Sequence, residues 1–304
     1  MTQVSTFDAH SDVVADNDVG YHKSTHAGSA VSPVNQGAVD TENRRSVVPL
    51  LHAIADRLLP WLLPLALFAL WQTGANQGWI SPQVLPPPEF VWQTLVDLFT
   101  NGDLWLNVEA SMRRVLVGFA AGSLLGLALG CAMGLSRRIE SYLLPTFNAL
   151  VQVPVLGWLP FVLLLVGIGE PLKYILIAKA ALVPVTLNTL QGFRQAPVAY
   201  REVAEVYGYS RRQEVTEVIL PMATTTLFTG LRLGFTKAWL SLVVVELVAS
   251  SEGLGYLIVY GRQLFQLDLV MAAVMVVGFI GYVIDRLLDA AQARVVRFGP
   301  DRGV

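Results

Sequence analysis

Histidine is missing from most of this chain, and charge is scarce throughout it. The four histidines, His10, His22, His26 and His52, all lie in or just after a polar N-terminal stretch. The remainder has no imidazole for a metal site or for acid–base catalysis. A single cysteine, Cys131, falls in an apolar run, which excludes an intrachain disulfide and predicts a buried thiol. No Gly-Lys dipeptide occurs, so the phosphate-gripping lysine of a P-loop is absent. No Gly-x-Ser-x-Gly occurs either, and with no histidine in the apolar spans an intramembrane enzyme lacks candidates. No metal or cofactor is expected.

Charged residues make up 14% of the 304 and hydrophobic residues 54%; mean hydropathy is +0.53. A soluble domain has about a quarter of its residues charged, so the balance fits an integral membrane protein. A net charge of −2 gives no case for nucleic-acid binding. Residues 1–46 are polar and mildly acidic, without the early apolar core of a signal peptide. They hold too few large apolar residues to fold, and residues 1–50 are predicted to be a disordered cytoplasmic tail.

Six apolar spans follow, and the fold class is all-α and polytopic. They run over residues 58–73, 115–135, 142–168 (a broken stretch), 172–191, from Pro221 to about Ser250, and 269–288. Residues 51–113 are assigned to the first span and a surface helix. That helix follows Pro86-Pro87-Pro88, with Val91, Trp92, Leu95, Val96 and Phe99 in one stripe. Residues 114–295 form the main transmembrane domain and 296–304 a short C-terminal tail. With the N-terminus inside, most Lys and Arg fall on the cytoplasmic side. Only Arg113, Arg114, Lys173 and Arg262 fall outside, which selects this orientation with both termini cytoplasmic. Arg113 and Arg114 are expected to snorkel to the outer headgroups or to attract an anion.

One cytoplasmic segment, residues 197–221, carries helix signals where a polar loop needs none. Pro197 suits a first turn. Ala199, Val203, Val206 and Tyr207 share a face. Gly208 is a helix stop. Ser210 with Gln213 is a capping-box pattern that opens a second helix, which Val215, Val218 and Ile219 make apolar on one side. Pro221 marks the junction with the next span. Two capped helices hinged at a glycine form a plug for a groove on another protein; a loop lying on lipid is the plainer alternative.

The spacing resembles the EAA loop of ABC importer permeases, through Glu202, Ala204, Gly208, Leu220 and Pro221. Val203 and Val218 depart from the pattern but stay compact and apolar. The resemblance implies a type I ABC importer permease fold with six transmembrane helices in a bacterial inner membrane. It implies docking of this loop on an ATP-binding subunit present in two copies. It also implies a second copy of the permease as homodimer partner, and an extracytoplasmic binding protein that delivers the solute.

Within the spans, Gly118, Gly122, Gly126, Gly130 and Gly134 form a smooth ridge on which another helix can pack closely. Pro145, Pro154 and Pro160 break the third span near mid-membrane, where Asn148 and Gln152 add polar groups. This stretch resembles the third span of permeases importing nitrate, sulfonate and taurine. By that analogy Asn148, Gln152, Pro154 and Trp158 line the pathway, though a packed kinked helix would look the same in sequence.

Lys179 and Glu246 fall at similar depths and are expected to approach each other or to face a shared polar pathway; separate partners or headgroups are the alternative. Arg232 and Lys237 would meet a departing anion or the inner headgroups.

The resemblance is closest to the aliphatic sulfonate branch, carried by EVAEVYGYSRRQ, LRLGFTKAWLSLVVVELVAS and RQLFQLDLVMAAV. It implies a permease for aliphatic sulfonates, with nitrate, taurine or another small organic anion as alternatives and no ATPase site of its own. An ion-coupled secondary transporter using Lys179 and Glu246 would explain the charges. It leaves the paired cytoplasmic helices without a purpose, and no inverted repeat is visible.

Overall fold

The computed structural model describes residues 48–79, 81–195 and 198–297. The predicted N-terminal tail lies outside them apart from Val48 to Leu50, as do His10, His22, His26 and Pro197. The predicted C-terminal tail lies outside them apart from residues 296–297. The chain divides into two units, Met1–Pro60 and Trp61–Val304. The described part of the first is the opening of α1 (Val48–Asn76); the second holds everything else.

Among the described residues all regular structure is helical. In the second unit, the rest of α1 leads to α2 (Pro88–Thr100) and α3 (Asp103–Leu135). Next come α4 (Arg137–Val151), α5 (Val155–Val166) and α6 (Glu170–Arg194). The segment between α6 and the next long helix contributes α7 (Val198–Val206) and a single turn, α8 (Arg211–Gln213). A widened π-helical turn, Glu214–Ile219, then runs into α9 (Leu220–Ala249). The chain closes with α10 (Leu254–Gln263) and α11 (Leu267–Arg297).

α3, α6 and the α11 residues Leu267–Arg294 are each long and apolar enough to cross a membrane. Two bent pairs add two more crossings if each counts as one. In one, α4 and α5 turn by 96°; in the other, α10 departs by 40° from the helix that ends at Ala249. The remaining predicted span, residues 58–73, lies inside α1. There Trp61, Leu62, Leu63, Leu65, Leu67 and Phe68 all stand exposed. A soluble protein does not leave such a run facing water, and lipid is the solvent that suits it.

The glycine ridge of α3 packs on α6. A Cβ at Gly118 would lie 2.6 Å from Ile177 Cγ2, and one at Gly130 would lie 2.5 Å from Thr189 Cβ. At Gly122 it would run into the carbonyl of Ala178. Glycine is therefore what lets the two backbones approach, and the gain is dispersion contact that larger side chains would prevent. A second small-residue seam joins α6 to α9. A Cβ at Gly230 would lie 2.6 Å from Asn188 Cβ, and one at Gly234 would lie 2.8 Å from Val185 Cγ2. Val115, Ile177, Ala181, Ala238 and Leu242 form the buried core where the three helices meet.

Only one of the three prolines assigned to the broken span sits at the break. Pro154 precedes α5, while Pro145 and Pro160 lie inside α4 and α5. α3 also begins twelve residues before the apolar run did, at Asp103 rather than residue 115. Asp103, Glu109, Arg113 and Arg114 had hidden its first turns from a reading based on hydropathy.

Candidate functional site

Three places carry the chemistry. The first is the segment between α6 and α9. α7 ends in a Schellman arrangement: Gly208 N–H donates to Glu205 O and Tyr209 N–H to Ala204 O, both at 2.9 Å. Gly208 has φ +72, a conformation that side chains with a Cβ resist. Ser210 caps the next turn, and its capping box with Gln213 is complete.

Pro221 stands where the segment joins the next long helix, without a break in the backbone helix. It lies in the first turn of α9, and the helix widens just before it, with Leu220 N–H reaching Val215 O. A proline has no N–H to return and crowds the carbonyl four residues back; a π turn relieves both.

The two faces of this segment differ. Ala204 and Ile219 are buried, and Ile219 packs with Phe193 and Ala223. Tyr200, Val203, Val206 and Tyr207 are exposed, Val206 at 86%. Glu202 is exposed and borders an open groove of about 1190 Å³, together with Arg137, Glu140 and Arg194. Arg194 pairs with Glu140 across it. Leu220 is partly exposed at 42%.

The second place is at the other end of the bundle. Arg114 on α3 has a fully buried side chain. Its Nε and Nη2 donate to Glu170 at 2.9 and 2.7 Å. Its Nη1 donates to Glu246 Oε1 at 2.9 Å and to Glu252 O at 2.7 Å. Its Nη2 also reaches Glu252 Oε1 at 2.8 Å. Lys173 adds a 2.7 Å contact to Glu170. Glu246 further accepts from Ser111 Oγ and from Gly255 N–H, each at 2.9 Å.

Gly253, with φ +112, leaves no room for a Cβ beside the Glu246 carboxylate. Every donor of the guanidinium fork is therefore met by an acceptor on α6, α9 or the turn before α10. Such full pairing is what makes a buried charge tolerable.

This arrangement corrects two expectations. Glu246 pairs with Arg114 and not with Lys179: Arg114, Ser111 and the Gly255 N–H take up its carboxylate, and Lys179 donates to the Val153 carbonyl instead. Arg114 does not snorkel; Arg113, its neighbour, is the exposed one. Ser111, Glu170, Lys173 and Glu252 were missed as partners. Ser111 and Arg114 three residues apart on one helix, with acids at two neighbouring span ends, were the available signal.

The third place is a cavity of about 570 Å³ walled by α6, α9 and the break between α4 and α5. Pro154, Lys179 and Lys237 line it. Lys179 Nζ donates to Val153 O at 2.9 Å, a carbonyl freed by the break. It also lies 5.2 Å from the centre of the Trp158 ring, a cation–π distance. Trp158 and Lys179 line an adjoining cavity of about 460 Å³. The structure thus brings Pro154, Trp158 and Lys179 together. Asn148 and Gln152 are exposed and outside both linings, and Glu246 belongs to the buried hub. Arg232 pairs with Asp285 at 3.0 Å and with Asp289, both on α11.

A bundle with a capped hinge outside the core and lysine-bearing apolar cavities beside the broken span fits a transport subunit. The family model for the binding-protein-dependent transport system inner membrane component matches residues 122–297, and the chain belongs to that family. It is therefore a permease component. Among its relatives is the putative aliphatic sulfonates transport permease protein SsuC of Bacillus subtilis (strain 168). The two are 36% identical over 237 residues, 78% of this chain and 86% of that one. The taurine transport system permease protein TauC of Escherichia coli (strain K12) is 33% identical over 257 residues, 79% and 94% of the two chains. In structure the chain is similar to the MetNI methionine ABC transporter in an inward-facing conformation. The TM-score is 0.54 at 17% identity, covering 63% of this chain and 95% of that one, a likeness of fold alone.

Proposed function

We propose that this chain is the membrane-spanning subunit of an ATP-driven importer of aliphatic sulfonates. Two copies would form the channel, an extracytoplasmic binding protein would deliver the solute, and two ATP-binding subunits would supply the energy. Residues 114–295 would be the transport domain, with residues 197–221 facing the cytoplasm, as the positive-inside count requires.

One observation carries the mechanism: the segment around Gly208 buries Ala204 and Ile219 in the bundle while presenting Val203, Val206 and Tyr207 outward. An apolar face on a rigidly capped helix has no use in water and suits a groove on another protein. Glu202 and Gly208 would set the shape of the knuckle. Leu220 and Pro221 would tie it to α9, so that a push on α7 moves a wall of the cavity. The sulfonate assignment is supported by the SsuC relative and by the matching segments of the sequence.

The test is assembly and uptake. The purified complex is expected to contain a nucleotide hydrolase and to accumulate a labelled alkanesulfonate in proteoliposomes only with ATP inside and binding protein outside. Gly208→Val is expected to abolish uptake and weaken subunit association. Uptake without any nucleotide hydrolase, or unchanged uptake in Gly208→Val, would overturn the proposal.

A further inference from the structure

The cavity between α6, α9 and the α4–α5 break holds two ammonium groups and no carboxylate. Lys179 and Lys237 line it, and no Asp or Glu does. Its other polar side chains donate to backbone: Asn188 to Pro184 O at 2.8 Å and Ser241 to Leu176 O at 3.4 Å. Lys237 has no hydrogen-bond or ion-pair partner among the described residues. The carboxylates of the neighbouring helices are engaged elsewhere, Glu246 by Arg114 and Asp285 and Asp289 by Arg232. Two cations against an apolar wall without a counter-ion create a positive potential that favours an anion.

The rest of the wall is aliphatic, including Leu156, Val183, Leu187 and Leu240. A bare inorganic anion would leave that surface unused. An anion with an alkyl tail would satisfy the ammoniums with its oxygens and the aliphatic wall with its methylenes.

We propose that this cavity is a binding site within the permease itself for a short alkyl anion. Lys179 and Lys237 hold the charged head, and the aliphatic residues of α5, α6 and α9 take the tail. This deepens the importer reading and rests on it for the identity of the head, a sulfonate. A sulfonate stays ionised and only accepts hydrogen bonds; an ammonium only donates them.

The experiment is calorimetric titration of the full-length permease in phosphatidylcholine nanodiscs, with neither ATP-binding subunit nor binding protein present. The probes are methanesulfonate through butanesulfonate. Affinity is expected to rise about fourfold per added methylene. Lys179→Gln and Lys237→Gln are each expected to weaken butanesulfonate about tenfold or more, and Lys237→Arg to retain most of the binding. Affinity that ignores chain length, or that survives both glutamine substitutions, would overturn the proposal. So would a site that phosphatidylglycerol fills in mixed nanodiscs while butanesulfonate binds in neither lipid, since the seat would then be one for a headgroup. A permease that binds butanesulfonate in this way but belongs to a complex that does not pump sulfonates would sink the importer reading and leave the site. A complex that pumps sulfonates through a permease blind to chain length would do the reverse.

Discussion

Arg114 and Lys179 both place a positive charge inside an apolar helical bundle, and their surroundings are opposite. Arg114 is enclosed by Glu170, Glu246 and Glu252, so its whole fork is spoken for. Lys179 has a carbonyl and an aromatic face, and across the cavity Lys237 has no protein partner. The first arrangement is structural: it joins α3, α6, α9 and the turn into α10 at one end of the bundle. The second leaves donors free to meet something that comes and goes. Saturation of its hydrogen bonds separates a charge that builds the fold from one poised to bind.

The sharpest way to break the contrast is Arg114→Met. It strands the buried Glu246 carboxylate and should cost about 3–5 kcal/mol. The readout is a large fall in the thermal midpoint, or in the yield of folded protein, in detergent micelles. Replacing Glu246 by Leu in the same chain should recover much of that loss, because the burial penalty then disappears from both sides. Failure of the pair to recover would mean the hub has a role beyond neutralisation.

Gly122→Val attacks the same α3–α6 contact through packing, about two turns along α3 from Arg114. Its branched side chain would push α3 off the Ala178 carbonyl, and about 1–3 kcal/mol of stability should go. The same thermal assay checks this, and solvent exchange at the Leu254 amide, held by Ser111 Oγ at 2.9 Å, should quicken.

Glu252→Gln removes the most exposed member of the hub, whose side chain is 55% exposed. The backbone carbonyl of residue 252 still accepts from Arg114, so a loss of at most about 1 kcal/mol is expected. Lys237→Met is the smallest effect. With no partner to lose, stability should stay within about 0.5 kcal/mol of the parent protein. A marked fall in its thermal midpoint would show that Lys237 has a structural role, and the comparison would fail.

Much of this was legible from the residues. The glycines of α3 announced a close helix contact, because a four-residue spacing fixes one helical face whatever the partner. The partner, α6, was not announced, since sequence spacing carries no distance between elements. The same pattern in α9, Gly230, Gly234 and Ala238, was readable and was passed over. The Gly208 stop and the Ser210 box were legible in detail, because caps are local and depend on a few adjacent residues. The Lys179–Glu246 pairing was wrong for a related reason. Depth along a helix can be counted from sequence, but rotation about its axis and the nearest competing cation cannot. Arg114, expected at the outer headgroups or beside an anion, is that competitor.

The sequence by itself determined the membrane class, the broken third span, the capped hinge and the family pattern. All of these follow from composition, or from residues close together in the chain. Tertiary structure alone decided which charges meet. It closed the guanidinium of α3 among acids of α6 and α9, and it left the ammoniums of Lys179 and Lys237 facing an open cavity. The reason is geometric: ion pairing depends on a few ångströms between side chains far apart in sequence, and only the packing of helices sets that distance.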